Sequence, residues 1–152
     1  MLMSIALAFV LILVTSLFHF AVLRWLSVGL AQYAMAGGTR VASIVFVLFA
    51  AHLIEMALYA FAFFVGDQTF EIGELRGETV SAPLDYFYFS ITSYTSLGVG
   101  DLFPADHLRF LAGVEALNGL LLIAWSGSLI YIAMGRSWRW DNCKGAEHHP
   151  ET

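Results

Sequence analysis

Leu84-Asp-Tyr-Phe-Tyr-Phe-Ser-Ile-Thr-Ser-Tyr-Thr95 is followed at once by Ser96-Leu-Gly-Val-Gly-Asp101. The first twelve residues are apolar and aromatic. As a helix they cover about 18 Å, little more than half of a ~30 Å hydrocarbon core. Such a segment enters a membrane without crossing it. Glycines directly after it turn the chain back to the side it came from, and irregular backbone at that depth is tolerated only beside protein or a water-filled path. The stretch therefore reads as a re-entrant hairpin, and its neighbours must supply the membrane spans.

They do. Met3 to Leu23 carries no charge, with only Ser4, Thr15, Ser16 and His19 as polar breaks. No Lys or Arg precedes it and no clear small-residue cleavage site follows, so it reads as an uncleaved first helix rather than a secretory signal. Arg24 and Trp25 mark its interface, Ser27 to Met35 a short interfacial stretch, and Gly37-Gly38 a break. Val41 to Val65 is a second span with His52 and Glu55 near its middle, and Phe110 to Met134 a third, interrupted by Glu115 and Asn118. Each exceeds the roughly 20 residues a spanning helix needs. The expected architecture is an all-α membrane protein. Residues 1–40 hold an extra first helix. Residues 41–134 form one unit: a spanning helix 41–65, a loop 66–83, the short helix 84–95, the glycine segment 96–101 and a last spanning helix 108–134. Residues 135–152 form a polar tail.

Composition agrees. Of 152 residues, 59% are hydrophobic and 12% charged, against roughly 25% charged in an average soluble domain. A chain this small cannot hide so much apolar surface in water. Seven Lys and Arg against twelve Asp and Glu leave no basic surface for nucleic acid. The single cysteine, Cys143, excludes a disulfide framework and a cysteine zinc site.

Charge also sets a topology. Arg24, Arg40, Arg136, Arg139 and Lys144 fall on one side, Arg76 and Arg109 on the other. The positive-inside rule places the first group in the cytoplasm of an inner or plasma membrane, the N-terminus outside and the tail inside. The outer face then holds Asp67, Glu71, Glu74, Glu78, Asp85, Asp101 and Asp106 against Arg76, Arg109 and His107. These are either an acidic vestibule that concentrates cations or ordinary solvated loop charges.

A dehydrated cation must recover its lost water oxygens from the wall of a path. Backbone carbonyls supply them if all point inward, which requires alternating backbone handedness. Glycine at alternate positions, Gly98 and Gly100, meets that need without steric strain. The Ser96 hydroxyl adds an oxygen at the inner end, and the negative C-terminal end of the half-helix favours a cation there.

Thr95-Ser-Leu-Gly-Val-Gly-Asp101 resembles the filter signature of potassium channels, TTVGYGD, and the order outer helix, pore helix, filter, inner helix resembles theirs over roughly Val41 to Tyr131. The extra first helix is similar to that of small bacterial members with three spans. The resemblance implies that the carbonyls of Ser96, Leu97, Gly98 and Val99, with the Ser96 hydroxyl, hold K+ as the permeant ion. Thr95, Gly100 and Asp101 would belong to the same ion-coordinating filter, with Gly100 and Asp101 closing its outer mouth. It implies support from Tyr88 and Thr92 on the pore helix, and a gating hinge at Gly119. Ile123 and Ser126 lie four and seven residues beyond Gly119 on one helix face; with Leu120 they would line a cavity, the alternative being ordinary helix packing. Three further identical subunits complete the pore, because one strand cannot surround an ion. Val99 stands where the family has an aromatic residue and Ser96 where it has threonine. The first change removes the usual brace, so a weakly selective sodium/potassium channel is the alternative to a potassium channel. Passive transport is expected, with no enzyme activity and no cofactor.

Ionisable groups at membrane depth are functional candidates. His52 and Glu55 share a helix face. A metal reading fails on count: a site needs three or four ligands, and His19 is the only other membrane histidine. A different class of reading, a non-conducting metal-binding or accessory protein using His52, Glu55 and Glu115, rests on the same residues. The expected role of Glu55 is a brace from the outer helix to the pore helix or to Asn118, which lies at similar depth, with Glu115 supporting the filter from behind. Trp25, Trp125, Trp138 and Trp140 read as interfacial anchors or packing groups. Gly113, Ala116, Ala124 and Gly127 either permit close helix contact or reflect membrane composition. His148-His149 reads as a disordered end or a weak metal-binding tail. No helix carries arginine at every third position, so no voltage sensor is expected. The short tail leaves gating to the filter, the Gly119 bend, lipid, pH or another subunit.

Overall fold

A computed structural model describes residues 2–29, 37–77 and 82–137. The order is α1 (Leu2–Gly29), α2 (Gly37–Gln68), β1 (Leu75–Gly77), α3 (Pro83–Tyr94), β2 (Leu102–Pro104) and α4 (Leu108–Ser137). The protein is all-α in its membrane part: α1, α2 and α4 are each long and apolar enough to cross a bilayer. The helices α2 and α4 run beyond 41–65 and 108–134 because Asp67 and Gln68, and residues 135–137, continue the backbone ladder past the apolar core. Gly37 opens α2 rather than breaking the chain. Ser27, Val28 and Gly29 are still helical, while the remainder of the interfacial stretch, Glu78 and the tail with Trp138, Arg139, Trp140, Cys143, Lys144, His148 and His149 lie outside the described residues.

The short helix α3 starts where its sequence says it must. Pro83 sits at its first turn, where a missing N–H costs nothing, and the Asp85 carboxylate accepts the Ala82 amide at 2.9 Å. It ends at Thr95, the cap before the glycine segment. It packs between α2 and α4, with Phe63 and Phe89 meeting edge to face at 5.0 Å. The main core, which includes Tyr59, Phe63, Phe89, Tyr94, Leu108 and Leu111, surrounds it. A second cluster, Leu23, Leu26, Ile44 and Leu48, lies between α1 and α2.

The first helix turns one stripe inward: Ser4, Ala8, Leu11, Thr15, His19, Leu23 and Leu26. Their steps of three and four residues follow one helix face. It lies against both α4 and α2. Lipid tails are as apolar as leucine, so packing and interhelical hydrogen bonds must hold it there.

The chain after α2 is not only loop. β1 and β2 pair antiparallel, with Leu75 opposite Pro104, Arg76 opposite Phe103 and Gly77 opposite Leu102. The ladder ties the loop after α2 to the chain just past Asp101. Two strands of three residues carry no readable alternation, which is why the sequence reads as loop here.

Candidate functional site

Residues 95–101 leave the end of α3 as an exposed segment on this chain. The Thr92 carbonyl accepts the amides of Leu97 (2.9 Å) and Gly98 (3.1 Å), while the Ser96 amide reaches the Ser93 carbonyl at 2.9 Å. The last turn of α3 thus grips the first half of the segment. Beyond it the backbone alternates: Ser96, Gly98 and Gly100 have φ of 57°, 56° and 86°, whereas Leu97 and Val99 between them do not take positive φ. Two of the three left-handed positions are glycine, as the residue pattern predicts. Ser96 is a side-chain-bearing residue held in a region such residues seldom visit.

The two pore-helix residues named as supports do different things. Thr92 is buried, bonds its hydroxyl to the Phe89 carbonyl at 2.9 Å, and serves the segment through its backbone. Tyr88 donates its hydroxyl to Asp101 Oδ2 at 2.8 Å, and Asp101 Oδ1 accepts the Leu102 amide at 2.9 Å. The hydrogen bond to Asp101 pushes the Tyr88 phenol above its ordinary pKa. The sequence reading missed this link between α3 and Asp101. Thr95 turns its hydroxyl back to the Ile91 carbonyl at 2.7 Å.

Beyond the end of α2, Asp67, Glu71, Glu74 and Asp106 line one shallow concavity of about 270 Å³. Asp67 Oδ2 accepts Tyr86 Oη at 2.7 Å and the Leu75 amide at 3.2 Å. Burial, and then that bond, raise the pKa of Tyr86. Glu74 pairs with Arg76.

Behind the segment lies a polar seam that crosses all four helices. Glu55 is fully buried. Its Oε1 meets His19 Nδ1 at 2.9 Å, and its Oε2 accepts Tyr94 Oη at 2.5 Å and meets His52 Nδ1 at 3.1 Å. His52 Nδ1 also lies 2.9 Å from Tyr94 Oη. The Nε2 atoms of His52 and His19 both lie 3.1 Å from Ser126 Oγ. Glu55 does reach the pore helix, through its last residue, Tyr94. The geometry does not include Asn118: that amide donates to Thr15 Oγ1 at 2.9 Å and Tyr59 Oη at 3.1 Å, fastening α1 instead. Glu115 is apart from the histidines. Its Oε1 lies 2.5 Å from Ser90 Oγ on α3, which is also 2.8 Å from the Met56 carbonyl. Both contacts are met at once when Glu115 carries a proton and donates it to Ser90. Glu115 Oε2 has no partner among the described residues.

The expected cavity stripe divides. Leu120 and Ile123 point outward, 50% and 39% exposed. Ser126 does not join them: it is buried between the two histidines. Gly119 is also buried, and a Cβ there would collide with the carbonyl and ring of Tyr94. In this conformation the glycine serves a close helix crossing. Periodicity put Gly119 and Ser126 on one face correctly; that face looks into the chain, toward α3 and the histidines. Among the described residues a Cβ at Gly113 or Gly127 would meet nothing within 4 Å, so neither makes such a crossing there. The metal count also changes, because the fold brings His19 to His52 and Glu55.

No curated protein and no solved structure matches this chain. A family model described as ion channel matches residues 44–136, more than half of its length. That span takes in most of α2, the short helix, the alternating segment and nearly all of α4. Together with three apolar spanning helices, it shows that this multi-pass membrane protein belongs to the ion-channel family.

Proposed function

We propose that the protein is a homotetrameric cation channel that favours potassium, conducting through carbonyls of Ser96, Leu97, Gly98 and Val99 with the Ser96 hydroxyl at the inner end. The observation that carries this is the alternation of backbone handedness at Ser96, Gly98 and Gly100. Alternation turns successive carbonyls to the same side, which is what a ladder of ion sites requires. The Thr92 carbonyl pins the start of that ladder, and Tyr88 with Asp101 pins its end.

Four chains are proposed because one segment offers oxygens from one side only. A groove of about 300 Å³ beside the segment, lined by Phe89, Ser96, Gly98, Leu102 and Ala112 among others, lies open on the single chain. Leu120 and Ile123 would face the central cavity. The charge asymmetry puts the N-terminus outside and the C-terminus in the cytoplasm, so the Asp67, Glu71, Glu74 and Asp106 concavity faces the outer mouth.

Flux of potassium into liposomes, compared between the wild type and Gly98→Ala, tests the reading. Alanine at φ 56° costs roughly 1–2 kcal/mol in each subunit, paid where the backbone must be regular. Flux should vanish while the tetramer survives; undiminished flux would remove the filter assignment. Val99 favours one second reading, a sodium/potassium channel, because valine cannot form the hydrogen-bonded cuff that stiffens a filter. Reversal potentials in mixed sodium and potassium separate the two.

A further inference from the structure

The ring around Glu55 has a hydrogen deficit. Five contacts close it: Glu55 with His19, with His52 (shared with Tyr94 Oη) and with Tyr94, and Ser126 with each histidine. Each contact needs one hydrogen. Tyr94, Ser126 and two neutral imidazoles supply four, with Glu55 as carboxylate. With these groups alone the ring is therefore satisfied only with one extra proton, wherever it sits. A divalent cation removes the deficit. If both Nδ1 atoms bind it, both Nε2 atoms carry hydrogen, and Ser126 Oγ can accept both through its two lone pairs. That is the outer support that ligating histidines ordinarily have.

We propose that Nδ1 of His19, Nδ1 of His52, a carboxylate oxygen of Glu55 and the Tyr94 hydroxyl form an intramembrane site for a zinc-class divalent cation, clamping the first helix to the end of the pore helix. Two imidazoles with oxygen donors suit such an ion. The metal-ligating atoms of His19, His52 and Glu55 all lie within 4.8 Å of one another. The donor gaps next to Glu55 and Tyr94 are 2.5–3.1 Å. Zinc bonds of about 2.0–2.2 Å set tetrahedral donor–donor edges near 3.4 Å, so each gap opens by less than about 1 Å. Loading expels one proton when Tyr94 keeps its own and two when it binds as phenolate; in the latter case the charges of ion, carboxylate and phenolate cancel. Access is through His52, whose side chain is 13% exposed while His19 and Glu55 are sealed. The site does not depend on which cation permeates.

The test uses the full-length untagged protein with His148→Ala and His149→Ala, so that the tail adds no ligands. The protein is stripped of metal, dialysed against Zn2+ and assayed for bound zinc; Co2+ then serves as a coloured substitute. We expect one zinc per chain and the intense visible absorption of four-coordinate cobalt. His19→Ala should abolish both. Ser126→Ala, which removes no ligand, should weaken zinc binding about 10–100-fold. Less than stoichiometric zinc in the parent, or unchanged affinity in Ser126→Ala, overturns the proposal, whether or not His19→Ala folds. Potassium flux is read on the same preparation. Zinc without flux overturns the pore reading and leaves the site, and flux without zinc does the reverse.

Discussion

Two regions of this protein meet at Tyr94 and are built on opposite principles. Residues 95–101 are exposed on the chain, and most of their internal order is backbone: positive φ at three alternate positions and amides held by Thr92 and Ser93. The seam behind them is buried and made of side chains: Glu55, His19, His52, Tyr94 and Ser126 in one ring, Thr15, Asn118 and Tyr59 in another group. The first region carries the proposed conduction, and the second holds the helices that carry the first. Damage to the first should abolish transport and leave the fold. Damage to the second should act in the reverse order.

Glu55→Leu is the sharpest way to break that contrast. It leaves two histidines and a tyrosine hydroxyl without their shared acceptor in a dry interior, at a cost of about 3–5 kcal/mol. Thermal unfolding and the detergent-stable oligomer should both suffer. Glu55→Gln keeps a carbonyl acceptor and should retain the oligomer. Equal behaviour of the two variants would mean that the ring is not what joins α2 to α3. Gly119→Ala comes next. Its methyl meets the Tyr94 carbonyl and ring, and overpacking of this kind costs about 1–3 kcal/mol. Because the strain falls one residue before Thr95, flux should drop more than the loss of stability accounts for. Flux and melting point measured together check that; wild-type values for both would remove the close crossing as a constraint.

Thr15→Val is smaller. It deletes the acceptor for Asn118, an interhelical bond worth about 0.6–2 kcal/mol in a membrane. The expected result is faster proteolysis or exchange in α1 with conduction intact, since α1 packs chiefly against α4 and α2. Hydrogen exchange resolved by helix reads it out. Loss of conduction with unchanged α1 protection would show that the seam transmits more than support.

The two regions also differ in how far the sequence revealed them. The alternating segment was legible because its requirements are local: a twelve-residue helix, then glycine at alternate positions, within eighteen consecutive residues. The seam was not. His19 and Glu55 are 36 positions apart, Thr15 and Asn118 103, His19 and Ser126 107. His52 and Glu55 could be placed on one helix face, but nothing in spacing says that α1 brings His19 to them. Ser126 shows the limit of periodicity: it assigns residues to a common face without saying whether that face looks out or in. Tyr88 shows another. Its partner, Asp101, lies thirteen residues on, across a turn whose closure only the backbone angles reveal.

Tyr88→Phe should have the smallest effect on the fold and the most informative one on transport. The hydroxyl is at the surface of the chain, so its loss should leave melting and oligomer unchanged. What it removes is the link from the pore helix to Asp101, a bond between two side chains at the far end of the segment. The phenol donates only while protonated. The bond to Asp101 raises its pKa above the ordinary value of 10.0. A raised pKa means that the bonded state holds its proton more tightly, so the tie is fully present below about pH 10 and fails as pH rises through the higher bonded-state value. Wild-type selectivity should therefore be flat through neutral pH and fall in strong alkali, while Tyr88→Phe should show the lower selectivity at every pH and no alkaline step. Reversal potentials taken from pH 7 upward distinguish the two curves. An alkaline step that persists in Tyr88→Phe would place the titrating group elsewhere, and equal selectivity at pH 7 would mean that the Thr92 grip at the inner end suffices to order the whole segment.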